Sequence, residues 1–253
     1  MTKKDGQIHI GTSGWSYEHW KGPFYPKALH TDQMLEYYAQ HFRSVEINSS
    51  FYRLPEKKTL RHLYDSTPDD FLFTAKASRY ITHMKKLGEP QKTVPAFLDR
   101  ISMLDDKLGP ILFQLPPRWH FNAERLGTFL DSLSNEFRYA FEFRDRSWLN
   151  RQTFDLLARR NMSFCIYELE GFITPDEITA DHIYVRLHGP DGAYQGNYSH
   201  KALAVRAEMF TDWAHQGNTV WCYFDNDECG YAAKNAGQLQ KMLSQQQSEI
   251  TQT

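Results

Sequence analysis

Long apolar runs are missing from this 253-residue sequence. No stretch reaches the roughly 18 uncharged apolar residues of a membrane-spanning helix, and the opening MTKKDGQIHIG lacks the apolar centre of a secretory leader. The expectation is a cytoplasmic protein that does not enter membranes. Cysteine is scarce: Cys165, Cys222 and Cys229 are an odd set with no CxxC spacing. That suits free thiols in a reducing compartment, serving as packing residues, and argues against a zinc or iron–sulfur framework. Charge of one sign is lacking too, since the formal net charge is −2. With no global basic field, non-specific attraction to nucleic acid or anionic membrane is not favoured. No linker rich in Pro, Gly or Ser divides the chain, so residues 1–253 read as a single domain.

What the sequence does have is a repeated alternation. Short β-rich runs recur at Ile8 to Gly11, Val45 to Asn48, Phe71 to Lys76, Ile111 to Leu115, Tyr139 to Arg144, Phe164 to Tyr167, Ile183 to His188 and Thr219 to Asp225. Between them lie stretches with helical spacing, such as TDQMLEYYAQHF, VPAFLDRISMLDDKLG and NRQTFDLLARRN. Thr31 reads as an N-cap, and Gly109 and Gly217 as helix stops. The segment after Ile173 is too short for a full helix, and the polar tail from about residue 244 reads as frayed. Eight such units in about 250 residues predict a closed parallel (β/α)8 TIM-type barrel; an open doubly wound sheet is the runner-up.

Strand parity then sorts the polar residues. In VEIN, Val45 and Ile47 share one face, Glu46 and Asn48 the other. FEFR opposes Phe141 and Phe143 to Glu142 and Arg144, and VRLH opposes Val185 and Leu187 to Arg186 and His188. Barrel strands alternate between helix-facing and interior-facing side chains, so the charged set points inward. It also sits at the carboxyl ends of the strands, where barrel enzymes build their sites. Asn48, Lys76, Gln114, Arg144 and His188 form an upper ring; Glu46, Glu142 and Arg186 lie about 6–7 Å deeper. A self-neutralising ion network would satisfy the same pattern without any ligand. Trp15, Tyr52, Trp148, Tyr194 and Tyr198 follow these strands, and such rings either stack on a sugar or base or plug the barrel mouth.

The motifs IHIGTSGWSYEHWKGPFYP, FRSVEINSSFYRLP, FLFTAKASRYITH, GPILFQLPPRW, FEFRDRSW, YVRLHGPDGAYQGNYS and CYFDNDECGYAAKNA resemble, in order, those of the YecE-like family, a family of unknown function numbered 72. The resemblance runs from about Ile8 to Leu243. It implies a (β/α) barrel and no particular activity. Carried over position by position, it marks Glu46, Asn48, Lys76, Gln114, Glu142, Arg144, Arg186, His188 and Asn226. Three positions depart from the family pattern: Ser50 where Thr is frequent, Asp145 where His is frequent, and Tyr167-Glu168 where Asp is common.

These residues point to an enzyme that works without metal or cofactor. Arg144, Arg186 and Lys76 would hold a small anionic or sugar-like substrate while Glu46, Glu142 or His188 moves protons. A glycosidase is the specific version, which requires a set distance between two carboxyls. One alternative is a metal-dependent hydrolase or isomerase using Glu46, Glu142, His188 and Asp225 as ligands, disfavoured by the cations among them. The other is a non-catalytic binding protein for nucleic acid or a small ligand, with Arg53, Arg79 and Arg118 tracking phosphates. For Glu142 the readings diverge in stability. A functional carboxylate tolerates Gln at little cost, whereas a structural one loses roughly 3–5 kcal/mol, and the inward pattern favours the first.

Overall fold

A computed structural model describes residues 4–251. Its strands are β1 (Ile8–Thr12), β2 (Ser44–Ile47), β3 (Leu72–Lys76), β4 (Leu108–Leu115), β5 (Tyr139–Phe143), β6 (Ser163–Leu169), β7 (Phe172–Ile173), β8 (His182–Leu187) and β9 (Thr219–Phe224). The helices are α1 (Met34–His41), α2 (Ser49–Tyr52), α3 (Lys57–Asp65), α4 (Pro90–Thr93), α5 (Pro95–Ile101), α6 (Ala123–Asp131), α7 (Arg151–Ala158), α8 (His200–His215) and α9 (Tyr231–Thr251). Eight of the strands are those expected from the sequence. The ninth, β7, folds back antiparallel on β6, pairing Glu168 with Ile173.

Hydrogen-bonded strands follow the order β1-β9-β8-β6-β5-β4-β3-β2, with β7 attached to β6. This order runs through the chain in one direction and places β9 beside β1. A doubly wound sheet instead reverses at a switch point, so the fold is the (β/α)8 type and the runner-up is excluded.

Two local expectations are corrected. Thr31 is the first residue of a 3-10 turn whose N-cap is His30, and its hydroxyl donates to Glu18 Oε1 at 2.5 Å instead of capping. Gly109 lies inside β4, because the preceding helical segment ends at Lys107. The polar tail is helical as far as Thr251. Gly217 does end α8, at φ +83°.

The chain groups into two compact units: one holds the residues up to Val45, Tyr167–Ile173 and those from Val185 onward, the other Glu46–Ile166 and Thr174–Tyr184. In the first, β1 and β9 pair in parallel from Ile8 opposite Val220 to Thr12 opposite Phe224. Tyr38, buried on α1, accepts from the Thr12 backbone N–H at 2.9 Å and donates to the Ser44 carbonyl at 3.1 Å. One phenol thereby fixes the start of β2 against the end of β1. Gly11 is required there, because a Cβ would sit 2.1 Å from the Ser44 carbonyl oxygen.

In the second unit β4 and β5 run in register, Gln114 opposite Glu142. Phe113 stacks on Phe141 at 5.3 Å and meets Phe129 of α6 edge-on. Phe164 meets Phe154 of α7 in the same way. Each fully buried ring contributes about 1.5–3 kcal/mol through the area it removes from water. These residues form the helix-facing set, and parity turns Glu142 to the opposite face, where it is fully buried.

Candidate functional site

In the second unit, polar residues converge at the carboxyl ends of β2, β3 and β5. The Glu142 carboxylate is fully buried and bound by Arg144 through its Nε–H, with the Cys165 thiol 3.9 Å from its other oxygen. Glu46 is buried as completely and accepts from the Tyr184 hydroxyl at 2.7 Å; that hydroxyl also lies 2.9 Å from Thr74 Oγ1. A chain of interior side chains thus links β2, β3 and β8. Buried carboxylates without such partners would be very costly.

Lys76, half-buried at the end of β3, places its ammonium 4.6 Å from the centroid of Phe51. Ser50 ties this corner together, its Oγ lying 3.0 Å from the Ile47 carbonyl and 2.6 Å from that of Lys76. Asn48 and Gln114 are half-buried at the ends of β2 and within β4.

His83 ends the motif FLFTAKASRYITH, and no strand parity marks it as inward-facing. It lies on a π-helical turn, Tyr80–Met84, closed by a hydrogen bond from the Lys85 N–H to the Tyr80 carbonyl. Such wide turns cost regular helix geometry and recur at functional sites. The half-buried imidazole stands edge-on to Phe51 at 5.0 Å. Burial, then Lys76, Arg79 and Arg144, push its pKa below the ordinary histidine value.

The first unit holds a second polar cluster. Arg186, fully buried, donates from Nη2 to Ser13 Oγ at 2.9 Å and to Asp225 Oδ2 at 2.9 Å. His188 sets its Nδ1 2.9 Å from the same Asp225 oxygen, while its Nε2 lies 3.3 Å from Arg186 Nη1. A guanidinium can only donate, so this geometry suits the tautomer with the proton on Nδ1. Tyr194 and Tyr167 stand edge-on to the imidazole at 5.6 and 6.0 Å. Gly189, at φ +115°, permits the tight return that brings Gln195 backbone against it. Asp225, a metal ligand in the metal-dependent alternative, orients both Arg186 and His188 here. Among the described residues no group of three or more His, Cys, Asp and Glu side chains is placed to hold a metal ion.

The remaining selected residues differ in setting. Asn226 is fully buried and donates to the Gly196 carbonyl at 2.8 Å and to Asn235 Oδ1 at 2.9 Å. The Tyr198 hydroxyl accepts from the Gly189 N–H at 3.0 Å, inside the same loop. Trp148 is fully buried, stacked on Phe143 at 5.0 Å and donating to the Trp119 carbonyl; its ring is part of the packing. Trp15 is half-buried, whereas Tyr52 is 72% exposed. Asp145, at a departure from the family pattern, caps the following turn through the Ser147 N–H at 3.0 Å. Glu168, at another, pairs with Arg206 at 3.5 Å.

Residues 9–253 match the family described as "Protein of unknown function DUF72". The chain belongs to this family. Among curated relatives, the UPF0759 protein YecE of Escherichia coli strain K12 is 35% identical over 146 residues, 54% of this chain and 48% of YecE. The chain's match thus spans about half the length of that relative. YunF of Bacillus subtilis strain 168 is 25% identical over 93% of this chain and 94% of its own. Among solved structures, a DUF72 protein of Thermotoga maritima, TM1631, superposes with a TM-score of 0.85 at 30% identity, covering 94% of this chain and 99% of its own. The DUF72 protein EF0366 of Enterococcus faecalis, at 22% identity and a TM-score of 0.80, shares the fold. The family's description assigns no activity, so the chemistry of this DUF72 chain is argued from its own residues.

Proposed function

We propose that this protein is an enzyme that binds a small anionic or sugar-like substrate at the carboxyl ends of its strands and works by acid–base chemistry without a metal. The observation that supports it most is that Lys76, Arg79 and Arg144 of the second unit all act electrostatically on the His83 imidazole, with Lys76 and His83 both held against the Phe51 ring. Arg144 is already bound to Glu142, and an anionic ligand adds a further partner for guanidinium and ammonium groups that only donate. A guanidinium grips a carboxylate or phosphate through two parallel hydrogen bonds, and the ammonium adds a point charge. Buried Glu46 and Glu142 of the same unit are the groups proposed to move protons. Asn48 and Gln114 would contact the neutral part of the substrate.

Calorimetric titration with inorganic phosphate tests the anion site. Millimolar or tighter binding is expected, weakened at least tenfold in Lys76→Gln and in Arg144→Ala, with thermal melts confirming that both variants are folded. Affinity unchanged in Lys76→Gln and in a folded Arg144→Ala would sink the assignment. Single-stranded oligonucleotides provide the contrast: tight binding that falls steeply with added salt would favour the nucleic-acid reading instead.

A further inference from the structure

We propose that His83 is a ligand-contacting residue of this site and that it takes up a proton when a phosphoryl dianion binds. The inference rests on the anion site proposed above and narrows its ligand to a phosphate or phosphate monoester.

The geometry supplies the first argument. His83 Nδ1 lies 2.9 Å from Thr82 Oγ1, which fixes the ring. The ring is held edge-on by Phe51 at 5.0 Å. Phe51 also carries Lys76 over its face at 4.6 Å, so one aromatic side chain positions both the ammonium and the imidazole. No hydrogen bond to His83 Nε2 occurs among the described residues, and that nitrogen remains available to an incoming oxygen. His83 lies within the π-helical turn Tyr80–Met84, whose wider winding sets its side chains off from regular helical positions.

Charge supplies the second. The charged groups facing His83 are Lys76 from β3, Arg79 from the head of the turn and Arg144 after β5, the last paired with Glu142. After burial, the largest cause, these charges lower the His83 pKa and disfavour the protonated imidazole. A bound dianion offsets those three charges and adds an acceptor beside Nε2, so the same imidazole becomes easier to protonate. A carboxylate, with one charge, offsets them less. The step balances simply. Nε2 gains one proton, from buffer when the ligand enters as the dianion or from the ligand itself when it enters as the monoanion, and the resulting N–H donates to a phosphoryl oxygen. The one bond formed is that N–H, and the one bond broken is the bond that held the proton on the buffer acid or on the ligand's hydroxyl.

Titration of the full chain with inorganic phosphate at pH 7.5, in two buffers that differ in ionisation enthalpy, reads the proton directly. The expected result is a binding enthalpy that depends on the buffer, corresponding to fractional uptake of a proton, and a His83 imidazole resonance whose titration midpoint moves up by at least one pH unit in saturating phosphate. His83→Gln should bind phosphate five- to twentyfold more weakly, with the proton uptake replaced by the release expected from the monoanionic fraction of phosphate. Phosphate binding that needs Lys76 and Arg144 but shows no proton uptake and no change in His83→Gln overturns this inference and leaves the anion site standing. Absence of phosphate binding by the unaltered protein overturns both.

Discussion

Glu142 and Arg144 are two residues apart on one strand face, and the guanidinium bends back onto the carboxylate one step deeper. That contact changes what the carboxylate's removal should do. From the sequence, Glu142→Gln is expected to be nearly neutral. With Arg144 bound to it, the loss of the negative charge leaves a guanidinium poorly compensated in a buried setting. The expected cost is therefore about 3 kcal/mol or more, read as a lower denaturant midpoint with an unchanged slope. A change below about 1 kcal/mol would show that Arg144 keeps its place without the charge. Residue identity was readable for the inward set because parity is a property of the strand. Partners were not: Tyr184 on Glu46, Ser13 on Arg186 and Asp225 on His188 are separated in sequence from what they bind, and nothing local marks them.

Among the elements, the strands were legible and the connections were not. Each strand is bounded by a change from period-two alternation to helical spacing, a signal that survives without tertiary information. The π-helical turn, by contrast, depends on how the chain between β3 and β4 is held at both ends, and YITHM reads locally as ordinary helix. Gly109 misleads for a related reason: a glycine after a helical stretch suggests a stop, whereas here the chain has already left the helix at Lys107 and pairs as strand. Gly11 shows a glycine whose purpose is proximity. Gly11→Ala forces a methyl group against the Ser44 carbonyl, and backbone cannot move aside as a side chain can. The expected loss is about 1–3 kcal/mol, measurable by denaturant melts. A neutral result would mean that β1 and the head of β2 separate more easily than the Tyr38 bridge between them suggests.

At the scale of the molecule, stability should fall on mild acidification, and His182 is one reason. It is 1% exposed, with Nε2 3.1 Å from the Tyr139 carbonyl and Nδ1 3.1 Å from Asp181. Burial keeps its pKa below the ordinary value, outweighing Asp181 and the Tyr139 carbonyl, which act in the opposite direction, while Arg138 adds to the lowering. The unfolded chain therefore binds this proton at a higher pH than the folded one. The contribution is fully present above pH about 6.5 and is lost as pH falls from there toward the folded value, by at most about 1.4 kcal/mol per pH unit. His182→Gln should flatten the dependence of the melting midpoint between pH 7 and pH 5; an unchanged profile would assign the sensitivity to other groups. The pairing of β1 with β9 has a consequence of another kind, in the timing of synthesis. Ile8 leaves the ribosome early, but its hydrogen-bonding neighbour Val220 is made roughly 200 residues later, a wait of about 10–40 s at ordinary rates of translation. Throughout that interval β1 is an apolar strand without its partner on β9, and a nascent chain arrested before residue 219 should be captured by chaperones that bind extended apolar segments, then released once β9 has emerged.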